Sequence, residues 1–180
     1  MSALTWAVAA VVTDDAGRVL LCRQGRGERH GLPGGRLRPA ESPVRAATRD
    51  IRIETGWEVE VVDLVGLYHL TGRRGPSPAA HAASAAGRAG PLPDVLVHVF
   101  RARTRGAGPV GDPAGGCRLS WHHPSALPET LTPTTRAALT DALAGRSGVL
   151  RDAAPGDPAP AAGHPPGQRS TPPADRTPQH

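Results

Sequence analysis

The sequence contains no lysine, so all 21 basic residues are arginine. Set against 16 Asp and Glu, they leave a formal charge of +5 carried by guanidinium groups, which suit phosphate and carboxylate recognition. A bias toward Arg, Ala, Gly and Pro also follows from GC-rich coding, so the charge alone names no partner. An Arg-rich RNA-binding protein would rest on that charge and nothing else. Aromatic residues are scarce too: three Trp, one Tyr and one Phe argue against the stacking platform of a single-strand nucleic-acid binder. The two cysteines, Cys22 and Cys117, are too few for a disulfide framework and are not clustered as zinc ligands are. Two ordinary buried thiols in a cytoplasmic protein are expected. The adjacent pair His122 and His123 precedes Pro124 with no acidic or Cys neighbour and reads as a turn. Long apolar runs are missing. Leu4 to Val12 falls far short of the ~20 residues of a membrane span, and with no basic region ahead and Asp14-Asp15 behind it does not resemble a signal peptide.

Large apolar residues are absent from Arg151 to His180, where eight residues are proline, so that segment cannot offset its ordering entropy and is expected to be a disordered tail. Its removal at Arg151 should leave folding stability unchanged. Thr71 to Pro93, rich in Ala, Gly, Pro and Ser, reads as a flexible insertion at 71–93. One domain over 1–150 remains, a normal size for a single core.

Within it, Trp6 to Val12 and Val19 to Cys22 are apolar runs flanking the turn residues Asp14 to Gly17, the pattern of a hairpin. Val59 to Leu67, Val95 to Arg101 and Cys117 to His122 read as further strands. In the second, Val95, Val97 and Val99 alternate with Leu96, His98 and Phe100. Helices are expected from about Pro43 to Thr55 and from about Thr134 to Ala144. Ser42 is a good N-cap for the first, Pro43 fits its first position and Gly56 fits its end. Strands and helices without regular βαβ alternation predict an α+β fold, a mixed sheet packed by helices.

Before the first of these helices stands Gly31-Leu32-Pro33-Gly34-Gly35, a tight backbone turn. Gly35, Glu41, Arg49, Ile51, Glu54, Gly56 and Trp57 fall at the spacing G-x5-E-x7-R-E-U-x-E-E-x-G-U, in which U is a bulky apolar residue. This pattern strongly resembles the Nudix box. The likeness continues in the opening hairpin, Ala7 to Arg23, and in a closing strand at Trp121 to Pro124. It implies a Nudix-like mixed β-sheet sandwiched between helices. It also implies hydrolysis of a pyrophosphate bond in a nucleoside diphosphate derivative, with Mg²⁺ or Mn²⁺ as cofactor, a small nucleotide as partner and a homodimer in many members. Glu54 and Asp50 take the catalytic positions, and the Gly35 carbonyl, Asp50 and Glu54 the metal positions. Glu41, Arg49 and Gly56 take structural ones, with Glu41 and Arg49 forming a salt bridge.

Two departures lie on the catalytic face. Asp50 stands where the family has Glu, and Ile53 stands where it has the first of two adjacent Glu. At 100° per residue, positions 50 and 54 lie about 40° apart and position 53 about 60° to the other side, so all three share one helix face. The Ile53 change removes one charge and one oxygen ligand and opens an alternative: a Nudix-fold protein that binds a nucleotide or metabolite without hydrolysing it, for instance a regulator. Asp112, Glu58 and Glu60 are the acids that could compensate. Asp112 is nominated by the family's loop before the last strand, whereas Glu58 and Glu60 alternate with valines and read as a solvated strand face. Arg23, Arg36 and Arg38, with Arg26 and Arg29, flank the loop and suit phosphate contact, although exposed charge is the commoner role. Trp57 and Trp121 read as core residues before base-stacking ones.

Overall fold

The computed structural model describes residues 4–24, 29–71, 94–114 and 116–153. Most of the expected insertion, from 72 to 93, and of the expected tail, from 154 to 180, lies outside the described residues.

Eight strands, β1 (Leu4–Thr13), β2 (Val19–Gln24), β3 (His30–Gly31), β4 (Gly34–Arg36), β5 (Val59–Leu70), β6 (Asp94–Thr104), β7 (Cys117–His122) and β8 (Val149–Asp152), form one mixed sheet. Its main path runs β3-β2-β1-β6-β5-β8, with β4 on β1 and β7 on β2. The pairs β1–β6 and β5–β8 are parallel and the others antiparallel. Helix α1 (Pro43–Thr55) covers one face and helix α2 (Pro133–Leu143) the other, the latter preceded by a 3-10 turn at Pro124–Ala126.

The continuous apolar run in β1 has its reason in this sandwich. Val8, Ala10 and Val12 pack beneath α1 with Leu20, Ala46, Ala47 and Ile51. Ala9 and Val11 face the opposite core with Val97, Val99 and Leu139. A strand buried on both faces must be apolar at every position. The alternation in β6 splits the same way, Val97 and Val99 to one core and Phe100 to the other. Trp57 and Trp121 pack edge to face, ring centres 5.6 Å apart, against the α1-side core, while Trp6 is exposed beside His98.

Three expectations change. Ser42 occupies the N-cap of α1, but its side chain makes no capping hydrogen bond. Each long strand outruns its expected end, β5 reaching Leu70 and β6 Thr104, because their antiparallel pairing continues beyond the strongest apolar stretch. The boundary expected at 150 moves outward. Arg151 and Asp152 belong to β8, which pairs in parallel with β5 through Gly66↔Val149 to His69↔Asp152, and Ala153 is buried. Arg151 further donates from Nε and Nη2 to the two carboxylate oxygens of Asp141, each at 2.7 Å. Truncation before Arg151 is therefore expected to destabilise. Losing charged hydrogen bonds costs about 1.5–3 kcal/mol, and each kcal/mol lowers the melting temperature by about 2–4 °C in a chain of this size. Truncation after Ala153 serves as the control, expected to leave the melting temperature unchanged in a thermal scan.

Candidate active site

The Gly34-Gly35 segment is pressed between β1 and α1. It pairs with β1 through Ala9↔Gly34 and Val8↔Gly35. A Cβ at Gly34 would overlap the Val8 carbonyl, and one at Gly35 would overlap the Asp50 carboxylate. Both glycines are thus explained by close approach. The Gly34 amide donates to Glu54 Oε2 at 2.8 Å, so a backbone N–H of the loop is held by a carboxylate in the last turn of α1. Loop backbone, Asp50 and Glu54 converge on one spot.

Arg49 locks that arrangement. Its Nη1 contacts Glu41 Oε1, its Nη2 donates to the Arg36 carbonyl at 3.3 Å, and its Nε donates to Asp50 Oδ1 at 2.8 Å. One guanidinium thereby ties both ends of the loop to the helix and fixes one oxygen of Asp50. At the far end of α1, Gly56 takes φ 74°, a left-handed conformation that only glycine adopts without strain, and donates to the Arg52 carbonyl at 2.8 Å.

Ile53 is 51% exposed and lines an open groove of about 770 Å³ together with Arg45, Arg49, Arg52 and Asp112. The β6–β7 loop is docked there by two backbone bonds of 2.8 Å, Val110 N–H to the Gly56 carbonyl and Ala114 N–H to the Ile53 carbonyl. Asp112 is thereby brought to the end of α1 and shares Ile53's groove, which Asp50 and Glu54 do not line. Glu58 and Glu60 are engaged in ion pairs, with Arg52 at 3.5 Å and Arg105 at 3.9 Å. Arg36 and Arg38 are exposed on the glycine loop, and Arg29 is exposed beyond β2. Arg23 lies in β2 opposite His30 and Arg118, and Arg26 lies outside the described residues.

The cysteines are not ordinary separate thiols. Cys22 on β2 and Cys117 on β7 are joined as a disulfide, Cα atoms 5.7 Å apart, and Cys22 Sγ is 3.4 Å from Glu54 Oε1. The two residues are 95 positions apart, and only the β2–β7 register, Cys22↔Leu119 and Gln24↔Cys117, brings them together. On the other face His30 and His122 meet edge to face at 5.7 Å, and burial together with the charge of His30 holds His122 below the usual imidazole range.

The Gly35 carbonyl, Asp50 and Glu54 offer oxygen donors only. That set fits a hard ion such as Mg²⁺ or Mn²⁺, which accepts one or two carboxylates and completes its shell with water and substrate phosphates. Ile53 offers no donor atom, so a set of this kind would hold at most a single ion.

The NUDIX domain model matches residues 3–142. The chain belongs to the Nudix hydrolase family. A "MutT-like protein" of Streptomyces ambofaciens is 30% identical over 144 residues, 80% of either chain. A "putative 8-oxo-dGTP diphosphatase" of Bacillus subtilis is 24% identical over 131 residues, 73% of this chain and 74% of that one. Among solved structures, a NUDIX hydrolase from Nitrosomonas europaea superposes with a TM-score of 0.61 at 23% identity, covering 81% of this chain and 93% of its own. In this Nudix chain the glycine loop is held on α1 by the contacts of Arg49 and Glu54, and Ile53 opens on the groove beside Asp112. Among the described residues no helix is long and apolar enough to cross a membrane.

Proposed function

We propose that this chain hydrolyses a pyrophosphate bond in a nucleoside diphosphate derivative, with one Mg²⁺ or Mn²⁺ held by the Gly35 carbonyl, Asp50 and Glu54. The observation that carries the reading is the convergence of Gly34, Gly35, Asp50 and Glu54, clamped by Arg49. Such an ion would neutralise charge on the pyrophosphate and would acidify the attacking water. Glu54 holds the loop through the Gly34 amide and so places its carboxylate beside the proposed position of the reacting phosphorus. Arg49 orients Asp50 by holding its Oδ1. Arg36 and Arg38, exposed on the loop, are suited to receive the outer phosphate. The proposed setting is the cytoplasm, whose reducing thiol systems would open the Cys22–Cys117 disulfide.

The name "putative 8-oxo-dGTP diphosphatase" of one relative supports a nucleotide as the substrate. Release of phosphate, pyrophosphate or mononucleotide is therefore measured from a panel of nucleoside triphosphates, dinucleotides and nucleotide sugars, with Mg²⁺ or Mn²⁺ and again with a chelator. Turnover that the chelator abolishes is expected. Ile53 favours the second reading, a Nudix fold that binds without hydrolysing. Silence across the panel with tight binding of one member would establish that reading.

Ile53→Glu separates the two further. Because Ile53 is half exposed, the added carboxylate costs little desolvation. Although Ile53 opens on a groove that Asp50 and Glu54 do not line, it shares their face of α1 by helical period, and the variant is expected to raise kcat by about tenfold, equivalent to about 1.4 kcal/mol of barrier, in the same assay. An unchanged or lower rate would place position 53 outside the reaction.

A further inference from the structure

The box reading gives no role to sulfur, yet Cys22 and Cys117 lie beside Glu54. One ligand atom from each of these three residues falls within 4.8 Å of the other two. We propose that in the reduced protein Cys22, Cys117 and Glu54 form a site for one thiophilic divalent cation of the Zn²⁺ type.

The geometry and the chemistry agree. Zn²⁺ takes thiolate sulfur at about 2.3 Å and carboxylate oxygen at about 2.0–2.2 Å, so the ligands of one ion must lie within a few ångströms of each other, as these do. The two cysteines are on adjacent paired strands, and Glu54 is on the helix packed over them, so the three ligands come from three separate rigid elements. Such a site needs no loop to fold around the ion. The cluster is also reachable: Cys22 is buried, but Cys117 and Glu54 are partly exposed, and solvent supplies the fourth ligand. The donor set differs from the all-oxygen set at Gly35 and Asp50. Soft thiolates select Zn²⁺ over Mg²⁺.

The state of the sulfurs gates the site. Joined as a disulfide, they offer no thiolate. A dithiol or phosphine reductant delivers two electrons to the S–S bond. A dithiol supplies the two protons itself and leaves as its disulfide; with a phosphine, one water supplies both protons and the oxygen of the phosphine oxide, and either way two thiols result. Ion binding then releases the two thiol protons. The inference rests on the two sulfurs and not on hydrolysis by this chain. It shares Glu54 with the proposed hydrolytic site, so an ion held here withdraws that carboxylate from the phosphate reaction.

The test uses the full chain in excess phosphine reductant, with Co²⁺ as a spectroscopic stand-in for Zn²⁺. One equivalent of Co²⁺ is expected to produce a thiolate-to-cobalt charge-transfer band that saturates at one ion per chain and is displaced by Zn²⁺. Histidine or carboxylate binding elsewhere gives no such band. Cys117→Ser, at a partly exposed position, is expected to remove most of the band. Glu54→Gln should keep it while weakening Zn²⁺ affinity at least about tenfold, since even outer-shell changes cost that much. The oxidised protein should show no band. Thiol titration runs alongside. A reduced chain with two reactive thiols and no band, a band that survives Cys117→Ser unchanged, or a disulfide that the reductant does not open in the folded chain would each overturn the proposal.

Discussion

Asp141→Asn is expected to destabilise the protein by about 3–5 kcal/mol, the cost of breaking a buried ion pair from one side. Asp141 is completely buried. Arg151 binds both its oxygens at 2.7 Å, Arg146 donates to Oδ1 at 2.8 Å, and the buried Tyr68 hydroxyl donates to Oδ2 at 2.9 Å. Burial alone would push this carboxyl up. The hydrogen bonds from Arg151, Arg146 and Tyr68 outweigh it and hold the group below its ordinary 3.8. Burial, reinforced by the neighbouring carboxylate, pushes the Tyr68 phenol up in turn. The amide can keep the Tyr68 contact but offers the two guanidinium groups no charge. Since a domain is stable by only about 5–15 kcal/mol, the loss is a large fraction of the whole. Urea unfolding followed by tryptophan fluorescence measures it.

The sign of the pH dependence follows from the depressed carboxyl. Asp141 binds its proton more readily in the unfolded chain than in the folded one, so its contribution is fully present above the ordinary carboxylate range. It is lost as pH falls from about 4 toward the lower folded value. The wild-type chain should lose stability in that window, while the Asp141→Asn difference shrinks. A difference that stayed constant with pH would mean that the carboxylate charge is not what the arginines hold.

Glu54→Gln is expected to lower kcat by at least about 100-fold, the lower end of what a positioned proton-transfer or charge-stabilising group supplies. The substitution is close to isosteric, and a glutamine oxygen can still accept from the Gly34 amide, so the loop should keep its place. What disappears is the negative charge. Melting temperature and KM should therefore change little while kcat collapses. A variant within threefold of the wild-type rate would remove Glu54 from the chemistry.

Features fixed by local chemistry were legible in the sequence. The start of α1 at Pro43 and its end at Gly56 follow from residues that fit those positions whatever surrounds them. The Nudix-box resemblance carried by Gly35 to Trp57 likewise implied the Glu41–Arg49 contact, and the helical period put Asp50 and Glu54 on one face. What was illegible depends on long-range pairing. Strand β8 is four residues long and gains its place only by parallel pairing with β5, so Arg151 and Asp152 read as the start of the tail. Asp141 sits in a helix whose pattern gives no sign that an acid faces inward, because its partners Tyr68 and Arg151 lie 73 positions before it and in that misread segment. The Cys22–Cys117 pairing needed the β2–β7 register, which two strand-like runs 95 residues apart do not disclose. The proximity of Asp112 to Ile53 likewise arises from two backbone bonds at the end of α1 and from no side-chain pattern.

The central claim is that water attacks phosphorus at a site held by two carboxylates and a glycine loop. It is tested most directly by incubating the folded chain with Mg²⁺ and the nucleotide panel in ¹⁸O-enriched water, with Glu54→Gln alongside, and weighing the products. The account predicts a phosphate-containing product carrying one ¹⁸O from the wild-type chain and almost none from the variant. Nucleotides recovered intact and unlabelled from the wild-type chain, or equal labelling by the variant, would contradict it.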